Sequence, residues 1–194
     1  GDFKAVKAVA ETVKNCSVAS LARCLKGDID ASYNALKNAA APRLHLFLAT
    51  SALHMQYKLR MSPEQVLEKI AESAGYAKSL IPDVEFSAED AARSDREFLA
   101  RALSVAVKSG ATVINVPDTV GYSTPQEMRE LTEYLIRNVD GIEKAEISAH
   151  NHNDLGLACA NSLAMVLGGA SQIECTVNGI GERAGNTSLE EAVM

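Results

Sequence analysis

Two histidines spaced two apart carry the clearest chemistry in this chain, within Ile147-Ser148-Ala149-His150-Asn151-His152-Asn153-Asp154. A short apolar run enters the stretch and a helix-like run leaves it. If the apolar run is a strand, His150 and His152 leave one face, because strand side chains alternate with period two. Paired imidazoles at the carboxyl end of a strand can hold one divalent metal. The same residues also fit a plainer arrangement, two satisfied polar side chains with Asp154 capping the next helix. For an isolated His-x-His the plainer arrangement is favoured; here the neighbouring stretches weigh against it.

Four other stretches can contribute. In Asn178-Gly179-Ile180-Gly181-Glu182-Arg183-Ala184-Gly185-Asn186 the glycines run G-x-G-x-x-x-G, one residue off the dinucleotide-binding fingerprint, and they follow the last strand instead of opening the fold. Such glycines allow a tight backbone turn that delivers the Asn186 amide oxygen to a site, or simply form a strained turn before a capped helix. Glu85, Ser87 and Glu89 share one face if strand geometry persists through Val84–Asp90. Acids inside a closed core need partners or a metal, so Glu85 and Asp90 are read as a solvated turn and Glu89 as lying near a mouth. Thr119 can donate to a substrate carboxylate, while Asp118 caps its own turn. His54, after Thr50-Ser51, is a candidate for binding; His45, in mid-strand, is read as structural.

The elements that must position these residues alternate. Helix patterns span 2–15, 28–40, 62–80, 94–109, 124–138 and 154–167, with a further start at Ser188. Strand patterns span 17–24, 44–50, 84–87, 112–116, 144–149 and 172–177. Ser62-Pro63-Glu64-Gln65, Ser94-Asp95-Arg96-Glu97, Thr124-Pro125-Gln126-Glu127 and Ser188-Leu189-Glu190-Glu191 all fit a capping box. Gly110 fits a helix stop. Strand–helix repeats of roughly thirty residues imply right-handed crossovers and a parallel sheet. A doubly wound open sheet gathers function at one switch point. Here nearly every strand ends in polar residues, which suits a barrel whose strand ends converge on one mouth. The expected fold is therefore α/β, a (β/α)8 TIM barrel that is incomplete, with six strands of the eight and the first two missing.

The chain has 194 residues, with 47% apolar and 23% charged residues, as in an ordinary globular domain. The formal charge of −6 gives no electrostatic reason for nucleic acid or an anionic membrane. No apolar run reaches bilayer length, and no secretory signal pattern opens the chain. Cys16, Cys24, Cys159 and Cys175 form no Cys-x-x-Cys pair and read as small buried hydrophobes, which fits a reducing cytoplasm. The chain opens on Gly1 within a helix pattern and stops at Met194 within another, so a piece of a longer protein is expected.

Taken together, Glu85-Phe86-Ser87-Ala88-Glu89-Asp90-Ala91, Pro117-Asp118-Thr119-Val120-Gly121-Tyr122, His150-Asn151-His152-Asn153-Asp154-Leu155-Gly156 and Gly179–Asn186 resemble the isopropylmalate/homocitrate synthase family. These are metal-dependent, acyl-CoA-using (β/α)8 barrel condensing enzymes and lyases. The motifs fall in the right order over the whole chain, and the last two are highly specific. Leu53-His54-Met55 with Lys58-Leu59-Arg60 resembles the isopropylmalate branch more than homocitrate, citramalate or related alkylmalate synthases.

The resemblance implies a single partial catalytic barrel domain over residues 1–194, pyruvate carboxyltransferase-like, with the C-terminal regulatory domain absent. It implies a Claisen-type condensation of acetyl-CoA with 3-methyl-2-oxobutanoate, opening leucine biosynthesis in the cytoplasm. His150, His152 and Asn186 would hold a divalent metal, Mn²⁺ or Mg²⁺ with Zn²⁺ as the alternative. Thr119 would bind the oxoacid carboxylate. His54, Ser87 and Asn115 would line its side-chain pocket, and Glu89 would stand near the reacting carbons as the catalytic candidate.

Partners would be acetyl-CoA and a 2-oxoacid, with no nucleic acid or membrane, and the parent enzyme would be a homodimer. The family's first-strand Asp-Arg motif, its second strand and the region supplying its base have no counterpart in these 194 residues. The piece alone is therefore expected to be inactive, with two open sheet edges prone to aggregation. Two rivals remain: a hydroxymethylglutaryl-CoA lyase, which would need a mobile cysteine loop where Cys175 sits within a strand, and a truncated metal-binding or dimerising product.

Overall fold

The strands alternate between an apolar and a polar face, and that alternation builds the molecule. In the computed structural model, which describes residues 2–194, strands β1 (Val18–Arg23), β2 (Pro42–Ala49), β3 (Val84–Glu89), β4 (Val113–Asp118), β5 (Glu146–Asn151) and β6 (Gln172–Glu174) form one sheet. Their spatial order is β1-β2-β3-β4-β5-β6 and every pair is parallel. Strands β2 to β5 turn most of their large apolar residues outward to a layer of helices. Leu44, Leu46 and Leu48 of β2, Phe86 and Ala88 of β3, Ile114 and Val116 of β4, and Ile147 and Ala149 of β5 are all buried there. Each fully buried Leu, Ile or Phe contributes about 1.5–3 kcal/mol.

The helices are α1 (Asp2–Thr12), α2 (Lys26–Leu36), a single turn α3 (Ala52–His54) running into a π-helical turn Met55–Leu59, α4 (Pro63–Leu80), α5 (Arg96–Lys108), α6 (Pro125–Asn138), α7 (Ala158–Leu167) and α8 (Leu189–Val193). Ile70 of α4, Leu99 and Leu103 of α5, Leu135 of α6 and Met165 of α7 complete one continuous core. Ser62 with Gln65, and Thr124 with Glu127, form the two capping boxes that the sequence predicts at proline-led starts. The other two boxes do not form. Asp95, not Ser94, caps α5 by accepting from Phe98 N, and Ser94 Oγ bonds Thr50 Oγ1 instead. Ser188 leaves α8 without a side-chain cap and bonds Glu190. Helix α7 starts at Ala158 instead of Asp154, because Asp154 is committed to Arg183 and Asn153 Oδ1 takes the Ala158 N–H.

The inward face is polar and the sheet curls around it. Arg43 Nη1 on β2 donates to Gln172 Oε1 on β6 at 2.8 Å, although three strands lie between them. In a flat sheet those strands would stand roughly 19 Å apart. The result is a curled half-barrel of six strands with helices outside, TIM-barrel-like and incomplete. Both end strands remain unpaired on one side within the described residues. No helix among the described residues is long and apolar enough to cross a membrane.

Candidate active site

The carboxyl ends of the strands surround a cavity of about 340 Å³, lined by Leu21, His45, Phe47, Ser87, Glu89, Asn115, Pro117, Thr119, His150, His152 and Glu174. Ser87 and Glu89 of β3, Asn115 of β4, Thr119 just past it, His150 of β5 and His152 just past it meet there from strands far apart in sequence. Two of the predicted residues do not line it. His54 is not among the lining residues: Ser51 caps its turn, and His54 Nδ1 lies 3.4 Å from Asp90 Oδ2 and 4.0 Å from Oε1 of the lining Glu89. His45, read as structural, does line the cavity, and its Nε2 meets Ser87 Oγ at 2.6 Å. His45 alternates with Leu44, Leu46 and Leu48, and that alternation could have shown it facing inward. Asn186 is the second. It pairs through its backbone with His152, and its Oδ1 is buried without a hydrogen-bond partner.

The paired histidines face each other, with His150 Nε2 3.2 Å from His152 Nε2. His150 Nδ1 is bonded to Glu174, which was not among the candidates in the sequence and closes a strand of three residues instead of the expected 172–177. Burial, then the neighbouring His150, lowers the pKa of His152 below the ordinary histidine value. Burial does the same for His45. Both therefore favour the neutral form, whose ring nitrogen is free to accept or ligate.

Below the histidines lies a buried polar network. Arg43 Nε bonds Asp83 Oδ2 at 2.8 Å, and its Nη1 lies 3.4 Å from Glu85 Oε2. Gln172 Nε2 donates to Glu85 Oε1 at 3.0 Å and to Ser148 Oγ at 2.9 Å, and Asn115 Nδ2 donates to that hydroxyl at 3.2 Å. Glu85 is thus deep in the interior, 2% exposed, and not in a solvated turn. Burial, reinforced by the facing Glu174 carboxylate, pushes it up to about 8 against the pull of Arg43. Burial opposes the charge of Glu174 most strongly, but the hydrogen bond from His150 and the neighbouring His150 and His45 together outweigh it and hold that carboxyl below its ordinary value. Asp90 is fully buried too, in left-handed backbone geometry, and its two oxygens accept from Arg93. Its N–H donates to Thr119 Oγ1 at 2.9 Å, which leaves the Thr119 hydroxyl proton available to the cavity.

The loops around the mouth are tied together. Asp118 caps its own turn, accepting from Gly121 N and Ser123 N. Arg183, with positive φ, bonds both Asp154 oxygens at 2.7 and 2.8 Å and also the Thr119 carbonyl. That clasp fixes the glycine loop carrying Asn186 against the loops of β4 and β5. Lys58, from the π-helical turn, reaches over to pair with Glu89. Of the cysteines only Cys24 is buried, and Cys175 lies just beyond β6, where the short strand has already ended.

The donor set suits a divalent cation. Two facing ring nitrogens at 3.2 Å match the roughly 3 Å separating adjacent ligands of one small metal ion. The unpartnered Asn186 Oδ1 is a third donor on the same loop system. His45, Glu85 and Glu174 also bring ligand atoms within 4.8 Å of one another. Their His45 Nε2, Glu85 Oε1 and Glu174 Oε2 atoms are engaged by Ser87, Gln172 and His150, while His45 Nδ1 lies 3.8 Å from both Glu85 Oε2 and Glu174 Oε1, with the Arg43 cation 3.4 Å from that Glu85 oxygen, so the trio is a second candidate metal site.

The model of one family, HMGL-like, matches residues 1–194. The chain belongs to the HMGL-like family. Within it, the chain is 60% identical over its whole length to the 2-isopropylmalate synthase of Halalkalibacterium halodurans and 56% identical to that of Aquifex aeolicus. It spans 38% and 37% of the length of those two relatives. Among solved structures it resembles the hydroxymethylglutaryl-CoA lyase of Pseudomonas aeruginosa, with a TM-score of 0.82 and 21% identity, covering 100% of this chain and 65% of that one. It also resembles the lyase of Acinetobacter baumannii in complex with coenzyme A and 3-methylmalate, with a TM-score of 0.74 and 18% identity, covering 96% and 63%. These structural likenesses confirm the HMGL-like half-barrel.

Proposed function

We propose that this HMGL-like chain contributes the central part of a 2-isopropylmalate synthase, which condenses acetyl-CoA with 3-methyl-2-oxobutanoate and water to give 2-isopropylmalate and free coenzyme A. The observation that carries the reading is the convergence of Ser87, Glu89, Asn115, Thr119, His150 and His152 on one cavity, in a chain up to 60% identical to enzymes of that name. At about 340 Å³ the cavity lies at the small end of ligand sites, roughly 300–1,000 Å³, which suits a short oxoacid.

His150 and His152, with Asn186, would hold a divalent metal, Mn²⁺ or Mg²⁺. That ion would supply Lewis-acid stabilisation for the oxygen on which negative charge develops. Thr119 donates its hydroxyl proton to the oxoacid carboxylate. Ser87 and Asn115, joined by His45, wall the oxoacid side chain, with His54 approaching beside Glu89. Glu89, oriented by Lys58, stands at the lip where a proton is exchanged at the reacting carbon. The Acinetobacter lyase, solved in complex with coenzyme A, supports an acyl-CoA partner here.

Calorimetric titration of Mn²⁺ into the 194-residue chain, beside a His150→Ala/His152→Ala variant, tests the reading. Heat in the parent that vanishes in the double variant is the expected result. Equal heats in two folded proteins would move the metal elsewhere and remove the reading.

A further inference from the structure

Glu174 stands opposite His150 in the register of β5 and β6, and its carboxylate meets His150 Nδ1. A carboxylate has only acceptors to offer, so the imidazole nitrogen facing it must carry the proton. With Nδ1 protonated, the lone pair of a neutral imidazole lies on Nε2. That nitrogen is the one aimed at His152 Nε2, 3.2 Å away.

We propose that Glu174 is a positioning residue. By accepting the Nδ1 proton of His150 it fixes the tautomer and the ring plane that turn Nε2, unprotonated, toward His152. The pair so formed is a two-nitrogen donor set for a divalent cation, and this last step rests on the metal reading above.

The surroundings show why the carboxylate keeps its place. Its other oxygen lies 3.8 Å from His45 Nδ1, and the Glu85 carboxyl faces it from across the interior. Gln172, two residues earlier on the same face of β6, is held by Arg43, Glu85 and Ser148. The strand is short, but both of its inward side chains are anchored to three other strands. His152 has no equivalent: its Nδ1 is buried and unpartnered. One imidazole is therefore set by the protein, and the other is free to adopt the tautomer that a ligand demands.

The test combines nitrogen-15 spectra of the metal-free imidazoles with Mn²⁺ calorimetry on the full chain. Glu174→Met keeps length and removes the acceptor; Glu174→Gln keeps an acceptor and removes the charge. In the parent, His150 is expected as the Nδ1–H tautomer. Glu174→Met should lose that preference and bind Mn²⁺ about 10–100-fold more weakly, the usual cost of removing a partner of a metal-ligating histidine. Glu174→Gln should keep the tautomer and lose at least threefold in affinity.

An unchanged tautomer in Glu174→Met, or an unchanged Mn²⁺ affinity in both variants, overturns the inference. If Glu174→Met does not fold, Glu174→Gln decides alone through its affinity. A parent that takes up no Mn²⁺ while its His150 tautomer still answers to Glu174 would remove the metal reading and support the positioning role.

Discussion

Glu85 is the residue whose chemistry departs furthest from its type. Its carboxyl is pushed up to about 8, whereas in an unfolded chain it titrates near 4.3. A raised folded-state value means that the native state holds a proton which the unfolded state has released. The associated stability is complete below about pH 4.3 and is lost as pH rises through about 8. Glu85→Gln removes that titration while keeping an acceptor for Arg43. The variant should match the parent at pH 4 and exceed it at pH 8.5 by roughly 1–2 kcal/mol, less than the full conversion of ~1.4 kcal/mol per pKa unit because the network relaxes. Urea midpoints at the two pH values check this, and a constant difference between the proteins would refute it. The sequence showed Glu85, Ser87 and Glu89 on one face but not which way that face pointed. The decisive partners, Arg43 and Gln172, are separated from Glu85 by 42 and 87 residues. His45 was read as structural for a related reason: alternation with three leucines was present to be read in β2, but what lies across the barrel from it was not.

At the scale of elements, local signals served well where the chain itself closes the hydrogen bonds. Two proline-led capping boxes stand where the sequence put them, whereas the starts at Ser94 and Ser188 are overridden by bonds to Thr50 and Glu190. The glycine loop after β6 was legible as a tight turn but not as one clasped by Arg183. Its geometry gives a sharp comparison. Gly185 has φ of +101°, and a Cβ there would stand 2.2 Å from the Gly179 carbonyl oxygen. Gly156 also has positive φ, +71°, with nothing within 4 Å of such an atom. Gly156→Ala should therefore cost only the left-handed backbone penalty, about 1–2 kcal/mol. Gly185→Ala adds a collision with backbone and should cost about 3 kcal/mol or displace the loop, loosening the hold on Asn186. Equal unfolding free energies for the two variants, together with equal proteolysis rates at Arg183, would contradict the account.

For the whole molecule, the strand order and parallel sense followed from chain-level rules on crossovers, and the polar strand ends correctly favoured a barrel over an open sheet. Curl itself needed the cross-interior contact of Arg43 with Gln172, which no local window contains. The same curl leaves β1 and β6 unpaired on their outer sides, and apolar side chains stand near both. Leu21 on β1 is 62% exposed, and Leu167, at the end of α7 beside β6, is 73% exposed. Open strand edges flanked by exposed apolar groups invite association with another chain. The 194-residue chain should therefore self-associate in a concentration-dependent way. A Leu21→Lys/Leu167→Lys variant places one charge at each edge without touching the buried core. Losing even one buried leucine contact of about 1.5–3 kcal/mol corresponds to a fall of at least about tenfold in the association constant. Sedimentation equilibrium measures that constant directly, and circular dichroism confirms that the variant keeps its fold. A folded variant that associates as strongly as the parent would place the contact surface away from the two edges and remove the link between curl and self-association.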